Sequence, residues 1–510
     1  MKIIRLILGD QLNQKHSWFE EVNDDVTYLM AEMRQETDYV KHHIQKVVAF
    51  FSAMRNFQEE LTKKGHKFIY LQITDEDNPQ KLDEIIQKYS ELTKAEKFEY
   101  QLPDEYRLDE QLMEICTDLS IETASFHTEH FYTTRYELKN FFSGKKQLIM
   151  ESFYRMMRKK HDIMIVNDQP DGGKWNFDHS NRKKWKGEPE IPHERGFRKD
   201  VSNVIEQIED AGVQTFGNID ATNFNWPTSR ADCLSVLNYF CKHLLVHFGD
   251  YQDALHTEEK FLFHSRLSFA MNSKMISPKE VVDKVLDHYY DHTGKIHISQ
   301  VEGFVRQILG WREYMRGIYW KEMPNYAHLN ELQNHNSLPN FFWTGNTKMN
   351  CLKHAITQSL NDAYAHHIQR LMITGNYALL TMTDPNEVDA WYLGIYIDAL
   401  EWVEITNTRG MSQFADGGIV ATKPYVSSAN YINKMSNYCA GCQYSHTKKI
   451  GDGACPFNAL YWNFLDEKKE HFANNNRMAM MMNLLGKKDK EELMALKARA
   501  KEVIEHPEKF

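Results

Sequence analysis

In the first quarter of the chain, short apolar runs alternate with longer segments whose apolar positions recur at helical spacing. Ile3 to Leu8, Val26 to Ala31, Phe68 to Ile73, Phe98 to Leu102 and Ile121 to Ser125 have the length and the β-branched or aromatic content of buried strands. Between them, Tyr39 to Lys63, Gln80 to Tyr89 and Asp104 to Asp118 carry the spacing of amphipathic helices. Strand and helix in alternation predict an α/β, Rossmann-like domain with a parallel sheet, where a ligand binds outside the carboxyl ends of the strands. The loop Gly9-Asp10-Gln11-Leu12-Asn13 leaves the first strand at that place, yet no GxGxxG follows, so an ordinary dinucleotide site is not supported.

The pattern then changes twice. From about Phe141 to Pro227, Gly, Pro and charge dominate, with one basic run at Arg155, Arg158, Lys159 and Lys160 and another at Arg182, Lys183, Lys184 and Lys186. A solvated linker is the plain reading; basic residues interleaved with Trp175 and Trp185 also suit a surface that tracks phosphates. From Ser229 onward strand signals nearly vanish. Helices are predicted over Arg230–Phe248, Thr257–Asn272, Pro278–Tyr290, Ser299–Tyr319, Asn350–Thr374, Pro385–Thr406, Pro456–Glu470 and Asn474–Leu485, with an exposed terminal helix in Lys487–Lys509. Three regions result: an α/β domain over 1–135, a connector over 136–228 and a large all-helical domain over 229–510.

Composition narrows the class. At 510 residues the chain exceeds what one core supports. With 42% hydrophobic and 26% charged residues, 13 Pro and 24 Gly, it is neither fibrous nor extensively disordered. No stretch approaches the roughly 20 apolar residues of a membrane helix, and the run after Met1 is too short for a signal peptide, so a soluble cytoplasmic protein is expected. A net charge of -10 argues against coating nucleic acid by bulk charge without excluding a local basic groove. Seven cysteines are too few for a disulfide framework, but they are unevenly placed.

Cys439-Ala-Gly-Cys442, followed by Cys455-Pro456, sets two thiolates in one turn and a third on a returning loop, as a metal centre needs. Cys351, opening a helical segment, is the natural fourth ligand: a 4Fe-4S cluster takes four thiolates, and a Cys-Pro ligand recurs in iron-sulfur proteins. Zinc on four thiolates, or on three with His446, a redox dithiol at Cys439 and Cys442, and no metal at all remain open on spacing alone. His366 and His367 lie in a stretch that reads as helical, so their rings diverge; core histidines are the alternative to a proton-handling pair. His264-Ser265-Arg266-Leu267-Ser268 offers hydroxyls and a cation at a helix start, suited to a diphosphate or to plain capping. Trp402 and Trp462 read as core.

These segments carry a resemblance. Leu8-Gly9-Asp10-Gln11-Leu12, Ala31-Glu32-Met33-Arg34-Gln35-Glu36, His264 to Ser268, Gly310-Trp311-Arg312-Glu313-Tyr314, Ala365-His366-His367-Ile368-Gln369-Arg370 and the four cysteines together resemble the photolyase/cryptochrome superfamily, specifically its bacterial iron-sulfur branch, the prokaryotic (6-4) photolyases. The resemblance covers the full length. It implies an antenna domain, a connector and a helical domain that holds FAD, closed by a 4Fe-4S cluster on Cys351, Cys439, Cys442 and Cys455.

It also implies residue roles. Photoexcited reduced FAD gives an electron to a (6-4) lesion flipped out of UV-damaged DNA, and one of His366 and His367, preferentially His366, acts as general acid. Ser265, Arg266, Leu267, Ser268, Arg312, Arg370 and Asp398 match positions around FAD. Trp343, Trp391 and Tyr392 match relays of electrons to the flavin, although the family's usual three-tryptophan pattern is not repeated. Tyr425 resembles an aromatic that faces the lesion. Asp10, Gln11 and Glu36 match positions around the antenna, which in this branch is usually 6,7-dimethyl-8-ribityllumazine. Lys159, Lys160, Arg182, Lys183 and Lys184 are expected at DNA phosphates, and Asp178 with Asp168 at a magnesium ion. A monomer without membrane contact is expected. A photosensory cryptochrome without repair activity is the first alternative; a non-catalytic iron-sulfur DNA-binding module, similar in its cysteine region to the primase large subunit, is the second.

Overall fold

The five predicted strands form one parallel sheet. In the computed structural model, which describes every residue from Met1 to Phe510, they are β1 (Ile3–Leu6), β2 (Val26–Ala31), β3 (Lys67–Leu71), β4 (Lys97–Gln101) and β5 (Glu122–Phe126), in the spatial order β3-β2-β1-β4-β5. Ile3 of β1 registers with Val26 on one side and with Lys97 on the other. The order reverses at β1, so the carboxyl ends of β1 and β4 flank the switch point where such sheets bind ligands.

The helix Ile44–Lys63 buries Val47, Val48, Phe51, Met54, Phe57 and Leu61 along one stripe. Its first turn plugs the rear of the molecule. His43 accepts from Gln45 N through one ring nitrogen, and its other nitrogen lies 2.8 Å from Leu360 O. Gln45 donates to Asn218 O and Asn361 O, and the buried Lys46 ammonium donates to Leu393 O at 2.7 Å and Ala399 O at 2.8 Å. Gly217, at φ +80°, lets the chain pass His43, where any Cβ would collide with the imidazole ring.

A second lock lies at the switch point. Lys274, only 1% exposed, pairs with Asp10 at 2.6 Å and Asp104 at 2.9 Å, and Arg316 reaches Asp104 at 3.3 Å. Apolar packing is equally shared: one core of 72 residues holds Val48 and Phe51 of the front domain, Phe153, Tyr154 and Trp226 of the connector, and Val301 of the helical domain. A second core of 43 residues surrounds the cysteines.

The solvated-linker reading of the connector is corrected by this packing. Helices Met150–Lys160 and Ser202–Asp210 occupy it, and Arg158 is buried, donating to Ile163 O and Trp175 O. Trp185 is also buried, edge-on to His256 with its indole N–H on Pro189 O, so it belongs to packing and not to a phosphate surface.

Three predicted helices of the rear domain are broken, one of them Pro385–Thr406, which is interrupted between Ile395 and Glu401 around Asp398. Of Thr257–Asn272 only Ser268–Asn272 is helical, because Leu262 and Arg266 take left-handed backbone angles. Arg266 holds that turn by sandwiching its guanidinium over Phe261 at 4.1 Å and Trp226 at 4.6 Å. Asn350–Thr374 divides at Ala363, which is left-handed and gives its carbonyl to Ile397 N. His366 is consequently extended and caps the turn His367–Gln369; it does not sit inside a helix. The terminal helix Lys490–Glu505 is not merely exposed, since it buries Leu496, Ala500 and Val503. No helix is long and apolar enough to cross a membrane.

Replacing Lys274 with Met leaves Asp10 buried without a counter-charge and Asp104 with Arg316 alone, and should lower the unfolding free energy by about 3–5 kcal/mol in denaturant titration. A variant within about 0.5 kcal/mol of the parent would show the lock to be dispensable. Burial holds His43 down at about 4 against an ordinary 6.5. Unfolding therefore takes up a proton between those values, and stability should fall by about 3 kcal/mol as pH drops from 6.5 to 4. His43→Gln should flatten that part of the stability curve.

Candidate functional site

Three of the residues matched to FAD, Arg312, Asp398 and Arg370, lie on one string of polar contacts that runs through Asn272. Arg312, buried over Trp402 at 4.8 Å, donates to the Asn272 side-chain oxygen. Asn272 in turn donates to Asp398 O at 2.6 Å, and the Asp398 carboxylate pairs with Arg370 at 3.0 Å. Ser268 opens the short helix that ends at Asn272. Burial pushes the Arg312 guanidinium down to about 10, while Asp398 beside Arg370 holds Arg370 up despite its burial. Arg312 and Arg370 both sit in π-helical turns, Arg306–Arg312 and Arg370–Gly375, local widenings that are frequent at functional sites.

Ser265 and Arg266 border a cavity of about 290 Å³ together with His264, Glu194 and Lys260. Arg266 pairs with Glu194 at 2.6 Å, and its Nε is buried without a partner. Leu267 does not reach this cavity: it is wholly within the core.

The two histidines differ sharply. His366 is 4% exposed; its ring lies 4.5 Å from that of His264, with only 19° between the planes, and its Nδ1 has no partner. Both ring nitrogens of His264 face backbone carbonyls, Phe261 O at 2.9 Å and Gln252 O at 3.1 Å. His367 is exposed to solvent. Burial, then the neighbouring His264, His367 and Arg370, push His366 well below the ordinary imidazole value; crowding by protein, then Arg370, lowers His367.

Behind Arg370 stands a cluster of aromatic rings. The guanidinium lies 3.8 Å over Tyr396, which is 5.5 Å from Tyr392 and 5.9 Å from Trp391. Trp391 is fully buried with its N–H on Phe342 O, and Trp343, 39% exposed, reaches the surface against Phe216. Tyr392 meets only Arg370 O at 2.6 Å and the Thr374 hydroxyl at 2.7 Å, neither of which is a base.

The four cysteines converge. Cys351, Cys439, Cys442 and Cys455 line one apolar pocket with Met349, Ile432, Tyr438 and Tyr444. All are free thiols. The four free thiols thus share one lining, and His446 is not part of it. Burial pushes Cys455 to about 12 and Cys439 to about 11, so loading the pocket with a cation must release protons.

In the front domain a cavity of about 140 Å³ opens at the switch point, walled by Asp10, Glu36, Lys46, Glu105, Leu400 and Trp402 among others. His42, also in the wall, has an unpartnered Nδ1. Burial raises Glu105 to about 8 and lowers Lys46 to about 8. Gln11 is corrected: it is wholly buried, accepts from Leu8 N and donates to Gln101 O, so it shapes the loop and does not line the cavity.

The expected DNA cations are mostly engaged. Lys160 pairs with Glu137, Arg182 with Asp178, and Lys183 with Asp250 at 2.9 Å; Lys184 donates to Asn433 O, and Lys159 lies 5.5 Å over Trp175. Half-buried Tyr425 feels Asp178, Arg182 and Arg477. Asp168 sits in the turn of the Ile165–Pro170 hairpin and does not join Asp178; the carboxylate that Asp178 does affect is Asp253, raised to about 6 by burial and that charge. Lys423 and Arg477, exposed and outside every ion pair, were invisible in the sequence because neither belongs to a basic run. His264 was visible only as part of its motif, and its stacking depends on a contact across about a hundred residues of chain.

Residues 5–226 match the family model of the deoxyribodipyrimidine photo-lyase-related proteins. A class III photolyase from Agrobacterium tumefaciens matches in structure with a TM-score of 0.58 and 14% identity, covering 100% of this chain and 98% of the other. A Synechocystis cryptochrome matches with a TM-score of 0.56 and 12% identity over 98% of both. Together with the sheet and the helical domain, these likenesses define a protein of the photolyase/cryptochrome fold. A (6-4) photolyase of Agrobacterium fabrum is 42% identical over 483 residues, 94% of each chain. The chain belongs to the (6-4) photolyase family, and that family implies FAD.

Proposed function

We propose that the protein is a light-driven DNA lyase that reverts (6-4) pyrimidine-pyrimidone photoproducts. The observation that carries this reading is the pair His366 and His367 beside the Arg370–Asp398 ion pair in a chain 42% identical to a (6-4) photolyase. Reduced FAD, when bound, supplies the photoexcited electron that the reaction consumes. Arg312, Arg370 and Asp398 offer it fixed charges, and the unpartnered Arg266 Nε, with Ser265 and Ser268 nearby, suits its diphosphate.

His366 is assigned the role of proton donor. Its Nδ1 is buried and without a partner, the His264 stack fixes the ring, and an extruded base would have to be seated against this imidazole to receive its proton. In the free protein burial keeps this imidazole neutral. DNA phosphates and a reduced lesion within about 4–6 Å reverse that balance, so the proton is acquired only when the substrate is in place. His367, open to solvent, orients the lesion and relays protons from water. Trp391 and Trp343 carry electrons inward from the surface; Tyr392, lacking a base, is a poor place for a hole to rest.

Cys351, Cys439, Cys442 and Cys455 would hold a 4Fe-4S cluster, a reading supported by four free thiols around one apolar pocket. The front cavity, half apolar with Asp10, Glu36 and Glu105 at its rim, suits a flat polar heterocycle such as 6,7-dimethyl-8-ribityllumazine. Phosphates of the duplex compete for Arg182, Lys183 and Lys184 and meet Lys423 and Arg477 directly.

Irradiating the reduced protein with a duplex carrying one (6-4) lesion should restore the two pyrimidines; an unchanged lesion would sink the reading in favour of a photoreceptor. His366→Ala should retain flavin absorbance and lose at least about a hundredfold in repair. Repair at the parental level would remove His366 from its role. Cys439→Ser or Cys455→Ser should lose iron by elemental analysis together with the cooperative unfolding of the rear domain, whereas stoichiometric zinc in the parent would refute the cluster.

A further inference from the structure

His366 is reached from the cysteine pocket by a short chain of hydrogen bonds. Gln369 Oε1 accepts from the His366 backbone N–H at 3.0 Å, fixing the extended residue that carries the imidazole. Gln369 Nε2 donates to the Tyr438 hydroxyl at 3.2 Å and to Gln358 Oε1 at 2.9 Å. Tyr438 precedes Cys439, is 1% exposed and lines the cysteine pocket; its backbone carbonyl accepts from Asn350, the neighbour of Cys351. His354 stacks on its ring at 5.7 Å with 11° between planes.

None of these bonds is required by a helix. His366 lies outside regular structure, and the only direct polar hold on its backbone N–H is the Gln369 amide. Gln369 is 2% exposed and satisfied on both sides, so its orientation is determined by Tyr438 and Gln358. A carboxamide has one acceptor and two donors at fixed angles; rotating it costs a buried unpaired group.

We infer that Gln369 is the positioning residue for His366, and that Tyr438 makes its alignment depend on the four-cysteine pocket. This rests on the assignment of His366 as proton donor. The cysteine centre then serves the reaction through geometry: when its shell is intact, Tyr438 presents its hydroxyl to Gln369, and the imidazole is held against His264. When the shell relaxes, the carboxamide loses one anchor and the ring its register. The groups that face His366 are His264, His367, Arg370 and Ala254 O, none of which lines the cysteine pocket.

Tyr438→Phe removes one oxygen and keeps the ring; Gln369→Met keeps the volume and removes all four hydrogen bonds of the amide. Both should retain parental flavin and iron and bind a lesion duplex in the dark within about two-fold of the parent, while the repair yield per absorbed photon falls about tenfold and its pH midpoint moves. In the dark protein labelled with ¹⁵N-histidine, the resonance lost in His366→Ala should shift in both variants. A yield, pH midpoint and histidine resonance all unchanged in Tyr438→Phe would overturn the inference. So would loss of flavin or iron from both variants, which would make the pair structural only. A parent that binds the lesion duplex and does not repair it would instead refute the proposed function, and the histidine resonances would still report whether Gln369 aligns His366.

Discussion

A buried ammonium holds the two halves of the molecule in register. Lys274 follows the short helix Ser268–Asn272, and its partners Asp10 and Asp104 stand at the carboxyl ends of β1 and β4. Burying three charges adds little net stability, because desolvation offsets most of the attraction, but any other docking leaves a charge uncompensated at a cost of several kcal/mol. The cluster therefore selects one arrangement. From it follow the walls of the front cavity and the position of Asn272, which carries the string from Arg312 to Asp398.

The arginines of that string stand on helices that widen into π-turns, and the widening depends on what packs there. Gly375 closes one such turn where a Cβ would overlap the Ser412 hydroxyl of another, so the two π segments Arg370–Gly375 and Thr406–Ser412 touch through a missing side chain. Charged groups that must not reorganise are thereby mounted on packed backbone and not on loops. The preference agrees with catalysis by pre-set electrostatics, where fixed groups act without having to move at the moment of reaction.

Much of this was legible in the sequence. Five strands in a parallel sheet and the helical rear domain follow from the alternation and period of apolar positions, and the cysteine spacing with its distant fourth member singled out four residues that line one pocket. What failed were the places where a contact from far along the chain overrides local preference. Helical periodicity continues through Ala363 and through Leu262 to Arg266, yet Ile397, Phe261 and Trp226 bend those segments out of helix. Hence His366 caps a turn, and its stacking on His264 and its tie to Gln369 could not be read from period. The basic runs misled differently: composition counts cations but cannot tell which already hold a carboxylate, so Lys160 and Arg182 looked freer than they are, and isolated Lys423 and Arg477 went unnoticed.

The single core shared by front domain, connector and helical domain has an optical meaning. Excitation passes between two pigments by dipole coupling, which falls steeply with separation and vanishes at unfavourable mutual angles. A hinge between the domains would make that coupling fluctuate. Here Trp402 is at once a wall of the front cavity and the ring beneath Arg312, so pigments proposed for the front cavity and for the Arg312–Asp398 string would keep one distance and one angle for as long as the protein stays folded.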